Sequence, residues 1–406
     1  MIPFDEAWEI TMKSVHRLGA ERVPIDRALN RVLAENVRSD SDLPPFNKSA
    51  MDGYACRRAD LGGMLRLLET IPAGKCPTRS VGPNECSKIM TGAMVPDGAD
   101  CVIMVEFTEE SGGLVSFTGT DTETNICRRA EDLKAGDIIL PKGTRLRPRH
   151  IGVLATAGCV KPLVSVRPRV GIVATGDELV EPDTVPGSSQ IRNSNSYQLR
   201  SQVDRMGAQP QYYGIAIDTA DTLDTMIRDA ASESDVLLVS GGVSTGDFDL
   251  VPDMLKKNGF ELLFEKIATK PGKPTVFGVA DRQNTRKDAC ATAGMNRRTF
   301  CFGLPGNPVS TFVLFELLVK PFLLAMMGHE FAPPVVPLRL ARDVTRKKTA
   351  RDSWIPVTIT GAGEADPIEY HGSGHLTSLP LADGMICIPR GVKGAAKGDS
   401  VNVRQF

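Results

Sequence analysis

What this chain lacks narrows the field before any motif is read. Its 406 residues show no excess of either charge, with 48 Lys and Arg against 49 Asp and Glu. A nearly neutral chain sets up no global field, so neither nucleic acid nor a membrane is expected as a partner, and a charged ligand must be met by local groups. The opening MIPFDEAWEI has no basic segment followed by an apolar run, which argues against a secretory signal and leads to a cytoplasmic expectation. The longest apolar stretch, VSTFVLFELLVKPFLLAMM, is interrupted by Glu316, Lys320 and Pro321. A membrane span needs about 20 mostly apolar residues, so a buried helix is predicted instead. Nine cysteines form no CxxC pair, and an odd set without that spacing suits neither a disulfide framework nor a zinc site. Repeats and low-complexity tracts are also missing.

What is present points to several domains, because a chain of this length exceeds one compact core. Trp8, Ile10, Met12, Val15 and Leu18 fall at helical spacing, and a second apolar run spans Ile25 to Leu33, so two short helices are predicted. SDLPPFNKSAMDGYA breaks that pattern, and the stretch to about Cys127 is rich in Gly, Pro and short β-branched runs, as in a small β domain. RRAEDLKAGDIILPKGTRLRPRHIGVLATAG then returns to mixed character, which implies an insertion. From Arg167, apolar runs alternate with helical patterns, the signature of a mostly parallel sheet with crossover helices. The expected strands are RVGIVAT, QYYGIAI, DVLLVS, LLFEKIA, TVFGVA and TFCFGL. SNSYQLRSQVDRMG and ADTLDTMIRDAAS are expected as helices, and ATKPGKP and DRQNTRKDACATAGMNRR as loops. Short runs after Gly328 predict a C-terminal β-barrel or sandwich.

In an open parallel sheet, ligands bind beyond the carboxyl ends of the strands, where loops and helix N-termini offer backbone N–H groups. Gly176, Asp177 and Glu178 follow the first strand, Asp218 the second, and Gly241, Gly242, Asp247 and Asp249 the third. Lys266, Lys270 and Lys273 lie at and beyond the end of LLFEKIA. These groups are expected to converge on one rim, where lysines suit phosphate or oxyanion oxygens and clustered carboxylates suit a hard cation such as Mg²⁺. Plainer roles compete. Asn307 and Pro308 are a sufficient N-cap and first helical residue, Asp218 can cap the next helix, and a glycine loop can be a turn and nothing more. Two lysines close together in KPGKP repel unless an anion is present, which favours function there. His371 and His375 stand four apart, but the glycines around them argue against a helical metal pair.

Seven segments in order, SAMDGYA, IMTGAMVP, RRAEDL, TGDEL, SGGVSTGDFD, KPGKP and LPGNPVS, together resemble the molybdopterin molybdenumtransferases, the MoeA and gephyrin E-domain family. The resemblance spans nearly the whole chain. It implies an α/β and β multidomain protein: a discontinuous linking domain (1–46 with 129–167), an inserted β domain (47–128), a three-layer molybdopterin-binding α/β domain (168–328) and a C-terminal β-barrel (329–406). It further implies a homodimer that takes adenylyl-molybdopterin from an upstream molybdopterin adenylyltransferase, together with molybdate and a divalent cation such as Mg²⁺. AMP and the finished cofactor are the products.

Carried over, Glu178, Asp218 and Asp249, with Asp247 nearby, correspond to carboxylates of the pterin and metal site. Lys266, Lys270 and Lys273 would face phosphate or molybdate. Pro274, Pro305 and Ser310 would shape the oxyanion pocket, with Ser373 and Ser378 as further donors. Asp52, Thr91 and Asp132 would complete the cleft of the neighbouring subunit. Two departures stand out. The family's aromatic–x–arginine is Trp354, Ile355, Pro356 here, leaving Arg351 as a substitute, and Ala130 replaces a glycine before the acidic pair of RRAEDL. A non-catalytic scaffold and a metal-dependent anhydride hydrolase are the competing readings.

Overall fold

The computed structural model describes residues 1–244, 249–282, 297–368 and 374–406. Asp247, His371, Ser373 and most of the expected 281–298 loop therefore lie outside the described residues. Contacts divide the chain into two compact units, one of residues 1–35, 143–147 and 163–406, the other of residues 36–142 and 148–162.

Helix α1 (Phe4–Lys13) opens the chain, with Asp5 and Glu6 in its first turn and Lys13 in its last, the order its dipole favours. Ala7 and Thr11, one turn apart, form its buried side. The second expected helix does not form. Ile25–Arg27 makes one 3₁₀ turn, Asn30 takes a left-handed φ of 63°, and Val32 and Leu33 become isolated β-bridges to Arg145 and Val164. Tertiary pairing outweighs helical periodicity there, because backbone groups that cannot continue a helix past Asn30 find partners across the chain.

The unit of residues 36–142 and 148–162 is built on a six-stranded sheet. Its strands are β1 (Gly53–Cys56), β2 (Met64–Ile71), β3 (Glu85–Ile89), β4 (Cys101–Met104), β5 (Thr108–Ser111) and β6 (Leu114–Phe117), in the order β4-β1-β3-β2-β6-β5. Alternation along β1 sends Tyr54 and Cys56 into one small core and Ala55 into another on the opposite face. Helix α2 (Pro148–Thr156) belongs to the same unit and starts with proline, whose missing N–H costs nothing at a first helical position.

In the other unit, β7 (Arg169–Thr175) leads into α3 (Asn195–Arg205), β8 (Gln209–Ala216), α4 (Ala220–Glu233) and β9 (Val236–Ser240). Next come α5 (Val251–Lys257), β10 (Glu261–Lys266), the short β11 (Thr269–Lys270), β12 (Pro274–Arg282) and β13 (Arg297–Leu304). The main sheet has the order β8-β7-β9-β13-β12-β10; the pairings among β8, β7, β9 and β13 are parallel, and β12 is antiparallel to both its neighbours. Successive residues divide between its two faces. Val236 and Leu238 join a core with Leu199 and Val203 of α3, while Leu237 and Val239 join a core with Leu223 and Ile227 of α4 and Leu255 of α5. This is the expected three-layer arrangement.

The apolar run forms α6 (Pro308–Leu314), a π-helical turn (Phe315–Val319) and α7 (Lys320–Met326), and 89% of its most apolar window is buried. The residues that interrupt it in sequence satisfy one another. Lys320 Nζ donates to Glu316 Oε2 at 2.6 Å, and Gln202 Nε2 donates to Glu316 Oε1 at 3.1 Å. Burial pushes the Lys320 ammonium below its ordinary pKa, against the opposing pull of Glu316.

The remaining strands are β14 (Val335–Leu340), β15 (Asp352–Ile359), β16 (Glu364–Pro367), β17 (Gly384–Ile388) and β18 (Ser400–Gln405). They run β15-β16-β14-β18-β17, and a β15–β17 pairing closes the ring, so the barrel alternative holds over the sandwich. Part of the expected ATKPGKP loop is strand: Thr269 and Lys270 pair with Asp352 and Ser353 of the barrel.

Ala130 has φ 60°, a left-handed conformation that a Cβ disfavours. Ala130→Gly is therefore expected to stabilise the protein by about 1 kcal/mol, read as a higher denaturant midpoint at unchanged slope.

Candidate functional site

The rim begins where β7 and β8 end. Thr175, buried as the last residue of β7, donates its hydroxyl to Asp218 Oδ1, and Asp177 Oδ1 accepts the Asp218 backbone N–H at 2.9 Å. Two short polar links thus tie these strand ends together. Asp218 does not cap the following helix, since Thr219 holds that position and Asp218 is engaged with Thr175. Glu178 is exposed and folds back over Gly176, where a Cβ would stand 2.5 Å from Glu178 Oε2.

β8 lies on one side of β7 and β9 on the other, with the chain crossing from β8 to β9 through α4. This reversal makes the C-terminal ends of β7 and β9 a topological switch point, where doubly wound sheets bind ligands. The turn after β9 approaches closely there. Gly241 has φ 102°, and a Cβ on it would lie 2.2 Å from the Thr175 carbonyl oxygen, so no side chain fits. Gly242 has φ 60° and faces Val251 and Thr175. Gly306, in the turn after β13, lies against Gly241, its missing Cβ 3.8 Å from the Gly241 Cα. Asn195, at the start of α3, donates Nδ2 to Ser240 Oγ at 2.8 Å and to the Gly306 carbonyl at 2.7 Å.

The lysines occupy the other end of the same rim. β10 runs antiparallel to β12 and β12 antiparallel to β13, so Lys266 at the end of β10 shares the rim with Thr175 and Ser240. Lys266 is in register with Pro274, Ile267 N donates to the Lys273 carbonyl at 3.0 Å, and Lys270 and Lys273 are exposed. Gly272, with φ 100°, sits on Leu314 of α6, and Thr275 Oγ1 donates to its carbonyl at 2.7 Å. Acids and lysines therefore do not form one cluster. Four strand steps of roughly 4.8 Å each separate β7 from β10, so an anion held by the lysines and a group held by the acids must belong to one extended ligand or to two ligands.

The other expected residues fall in different settings. Ser310 is buried in the first turn of α6, with Pro305 just before the Gly306 turn. Ser378 is buried too and spends its hydroxyl on the His375 carbonyl at 2.7 Å. Asp249 is half-buried ahead of α5. Among the described residues, no three His, Cys, Asp or Glu side chains gather as a metal site. Asn307 occupies the N-cap position of α6, as its plainer reading required, yet its side chain makes no capping hydrogen bond. Pro356 is buried in β15 opposite Met385, while Arg351 Nη1 donates to the Thr269 carbonyl at 3.3 Å, beside Lys270.

In the other unit, Asp52 Oδ1 accepts both the backbone N–H of Thr91, at 2.6 Å, and its hydroxyl, at 2.7 Å. Those bonds, the backbone one first, hold the Asp52 carboxyl below its ordinary pKa, so what they add to stability is present above the unfolded value and lost as pH falls through the folded one. Asp132 is exposed, and its N–H donates to the Leu43 carbonyl at 3.0 Å.

Sequence reasoning missed Thr175, Asn195 and Ser240. Thr175 and Ser240 are the last polar letters of apolar strands, a usable signal, whereas Asn195 looks like any residue opening a helix. Gly241→Ala is expected to destabilise the protein by roughly 2–3 kcal/mol, through a forbidden φ and the Thr175 carbonyl. Gly361→Ala, where a Cβ meets nothing within 4 Å, should change stability by about 0.5 kcal/mol or less in the same urea titration.

Three family models match in succession: the MoeA N-terminal region (domain I and II) over residues 2–158, a probable molybdopterin binding domain over 171–325, and the MoeA C-terminal region (domain IV) over 337–406. A molybdopterin molybdenumtransferase of Staphylococcus aureus strain Mu50 is 32% identical over 413 residues, covering 99% of this chain and 95% of that protein. A namesake from Staphylococcus epidermidis strain RP62A is 33% identical over the same shares. The crystal structure of a molybdopterin biosynthesis MoeA protein from Pyrococcus horikoshii OT3 is 29% identical, with a TM-score of 0.82 over 100% of both chains. With likeness of this extent across all its parts, the chain belongs to the MoeA family, the molybdopterin molybdenumtransferases of molybdenum cofactor biosynthesis.

Proposed function

We propose that this transferase inserts molybdenum from molybdate into adenylyl-molybdopterin, releasing AMP and the finished cofactor. The observation that carries this reading is the rim itself: glycine turns at a switch point, acceptors at one end and three lysines at the other. Lys266, Lys270 and Lys273 would bind the phosphate anhydride and molybdate oxygens, holding charge in place as the phosphorus–oxygen bond to AMP breaks. Pro274, Pro305 and Ser310 would shape the walls there, and Arg351 beside Lys270 would stand in for the arginine replaced by Pro356. Backbone N–H groups around Gly241 and Gly242 would meet the middle of the substrate. Catalysis on this account is mainly positioning, and no residue need act as a covalent nucleophile.

Mg²⁺ takes one or two carboxylates and completes its shell with water and phosphate oxygens, so Glu178 and Asp218, with Asp247 and Asp249, would hold it without an all-protein cage. Bound there, it would offset the carboxylates' own charge where the substrate crosses the acid end of the rim. The reading extends to a cytoplasmic homodimer supplied by an upstream adenylyltransferase. Near-full-length likeness to named transferases weighs against a scaffold or a simple hydrolase.

Purified protein given adenylyl-molybdopterin should release AMP when molybdate is present and little without it. AMP released equally without molybdate would make the chain a hydrolase, and none in either case would make it a scaffold. Lys270→Ala should raise KM for molybdate about tenfold, the cost of one charge-assisted contact. We further propose that Asp52, Thr91 and Asp132 complete the cleft of the neighbouring subunit. At molybdate well below the raised KM, mixing Asp52→Ala and Lys270→Ala chains should then give more activity than either variant alone, and no gain in mixed dimers would refute the shared cleft.

A further inference from the structure

The Glu178 carboxylate, exposed at the acid end of the rim, makes no hydrogen bond or ion pair among the described residues, so its direction is set by its backbone. That backbone is held at two points. Leu179 N donates to the Gly176 carbonyl at 3.1 Å, and Ile191 N donates to the Glu178 carbonyl at 2.7 Å. The second bond opens a short parallel ladder of Leu179–Val180 against Ile191–Arg192, which Asn193 N continues by donating to the Val180 carbonyl at 2.8 Å. A ladder this short is not stable by itself, and the stretch 181–190 that joins its strands is mostly exposed.

Glu181, half-buried directly after the first of those strands, supplies the missing anchor. Its Oε1 accepts the Tyr212 hydroxyl of β8 at 2.6 Å and its Oε2 the Tyr197 hydroxyl of α3 at 3.0 Å, so each oxygen is tied to a regular element of the domain. Asn193 Nδ2, just past the second strand, donates to the same Tyr212 hydroxyl at 2.8 Å. Both strands of the ladder therefore close on one phenol. Burial, and then the bond to Glu181, push the Tyr212 phenol above its ordinary pKa, which keeps it a donor at working pH. Hydrogen bonds to a carboxylate are charge-assisted and stronger than neutral ones, so two of them make a firm clamp.

We propose that Glu181 is a positioning residue whose grip on Tyr197 and Tyr212 fixes the ladder and, through the Ile191–Glu178 bond, the place where the Glu178 carboxylate stands for a divalent cation. The inference rests on the reading of Glu178 as a cation-binding carboxylate, but the positioning itself is measurable without metal. Groups that orient a metal-binding side chain from behind typically govern about 10- to 100-fold of its metal affinity.

In the full chain, Glu181→Ala should speed amide hydrogen exchange at Ile191 and Asn193 about tenfold. Glu181→Gln, whose amide can accept from one tyrosine hydroxyl and donate to the other, should return it close to the wild-type rate. Unchanged protection of Ile191 in Glu181→Ala would overturn the proposal whatever binds at Glu178. Mn²⁺ binding, followed by the electron paramagnetic resonance of the free ion, should weaken about tenfold in Glu181→Ala and no further when that change is added to Glu178→Gln. An equal loss in both backgrounds would show an effect that bypasses Glu178 and would overturn it too. Mn²⁺ binding indifferent to Glu178→Gln, beside faster Ile191 exchange in Glu181→Ala, would instead strike at the metal reading and leave the positioning of Glu178 standing.

Discussion

The close approach of Gly241 to the carbonyl of Thr175 is the contact on which the rest of the site depends. Two parallel strands end side by side, and the turn leaving one is pressed onto the last peptide of the other. A side chain at that point would prise the strand ends apart, moving Ser240 away from Asn195 and disturbing the Thr175–Asp218 link. The Asn195 amide then reaches one strand further, to the Gly306 turn, so three strand ends and one helix start are joined in a short polar row.

Strand order turns that row into a directional surface. Asp177, Glu178 and Asp218 follow β7 and β8 and Asp249 follows β9, while the lysines follow β10 and precede β12, and the glycine turns of β9 and β13 occupy the ground between. A compact ligand could not touch both ends, whereas a pterin joined through a pyrophosphate to a nucleoside is long and differs in polarity along its length. The lysine turn is braced from two sides. Gly272 rests on Leu314 of the long buried helix, and Thr269 and Lys270 are zipped to the first residues of β15. Helix α6 and the barrel thus contribute to lysine placement without supplying the lysines.

The long helix shows how a sequence irregularity becomes a packing solution. Glu316, Lys320 and Pro321 break the apolar run in the text. In the fold the first two pair at one turn's separation, Gln202 satisfies the other Glu316 oxygen, and a π-helical turn leads into the proline. Such turns absorb an extra residue where the backbone pattern cannot continue unchanged.

Much of this was legible in one dimension. Apolar runs and period-3.6 patterns named the six main strands and two of the helices between them, α3 and α4, because burial on both faces of a sheet leaves unbroken apolar runs that few other structures produce. The ordered motifs identified the family, and the placement of Asp177, Asp218 and the lysines after strand ends was readable from spacing. Three features were decided only in three dimensions. Ile25–Leu33 forsakes a helix for bridges to distant residues, Lys270 joins a barrel strand, and acids and lysines part to opposite ends of one rim. Asn195 belongs with these. Its partners lie 45 and 111 residues away, and since local pattern records what each segment prefers by itself, the meeting of distant chain ends is set by strand order and packing.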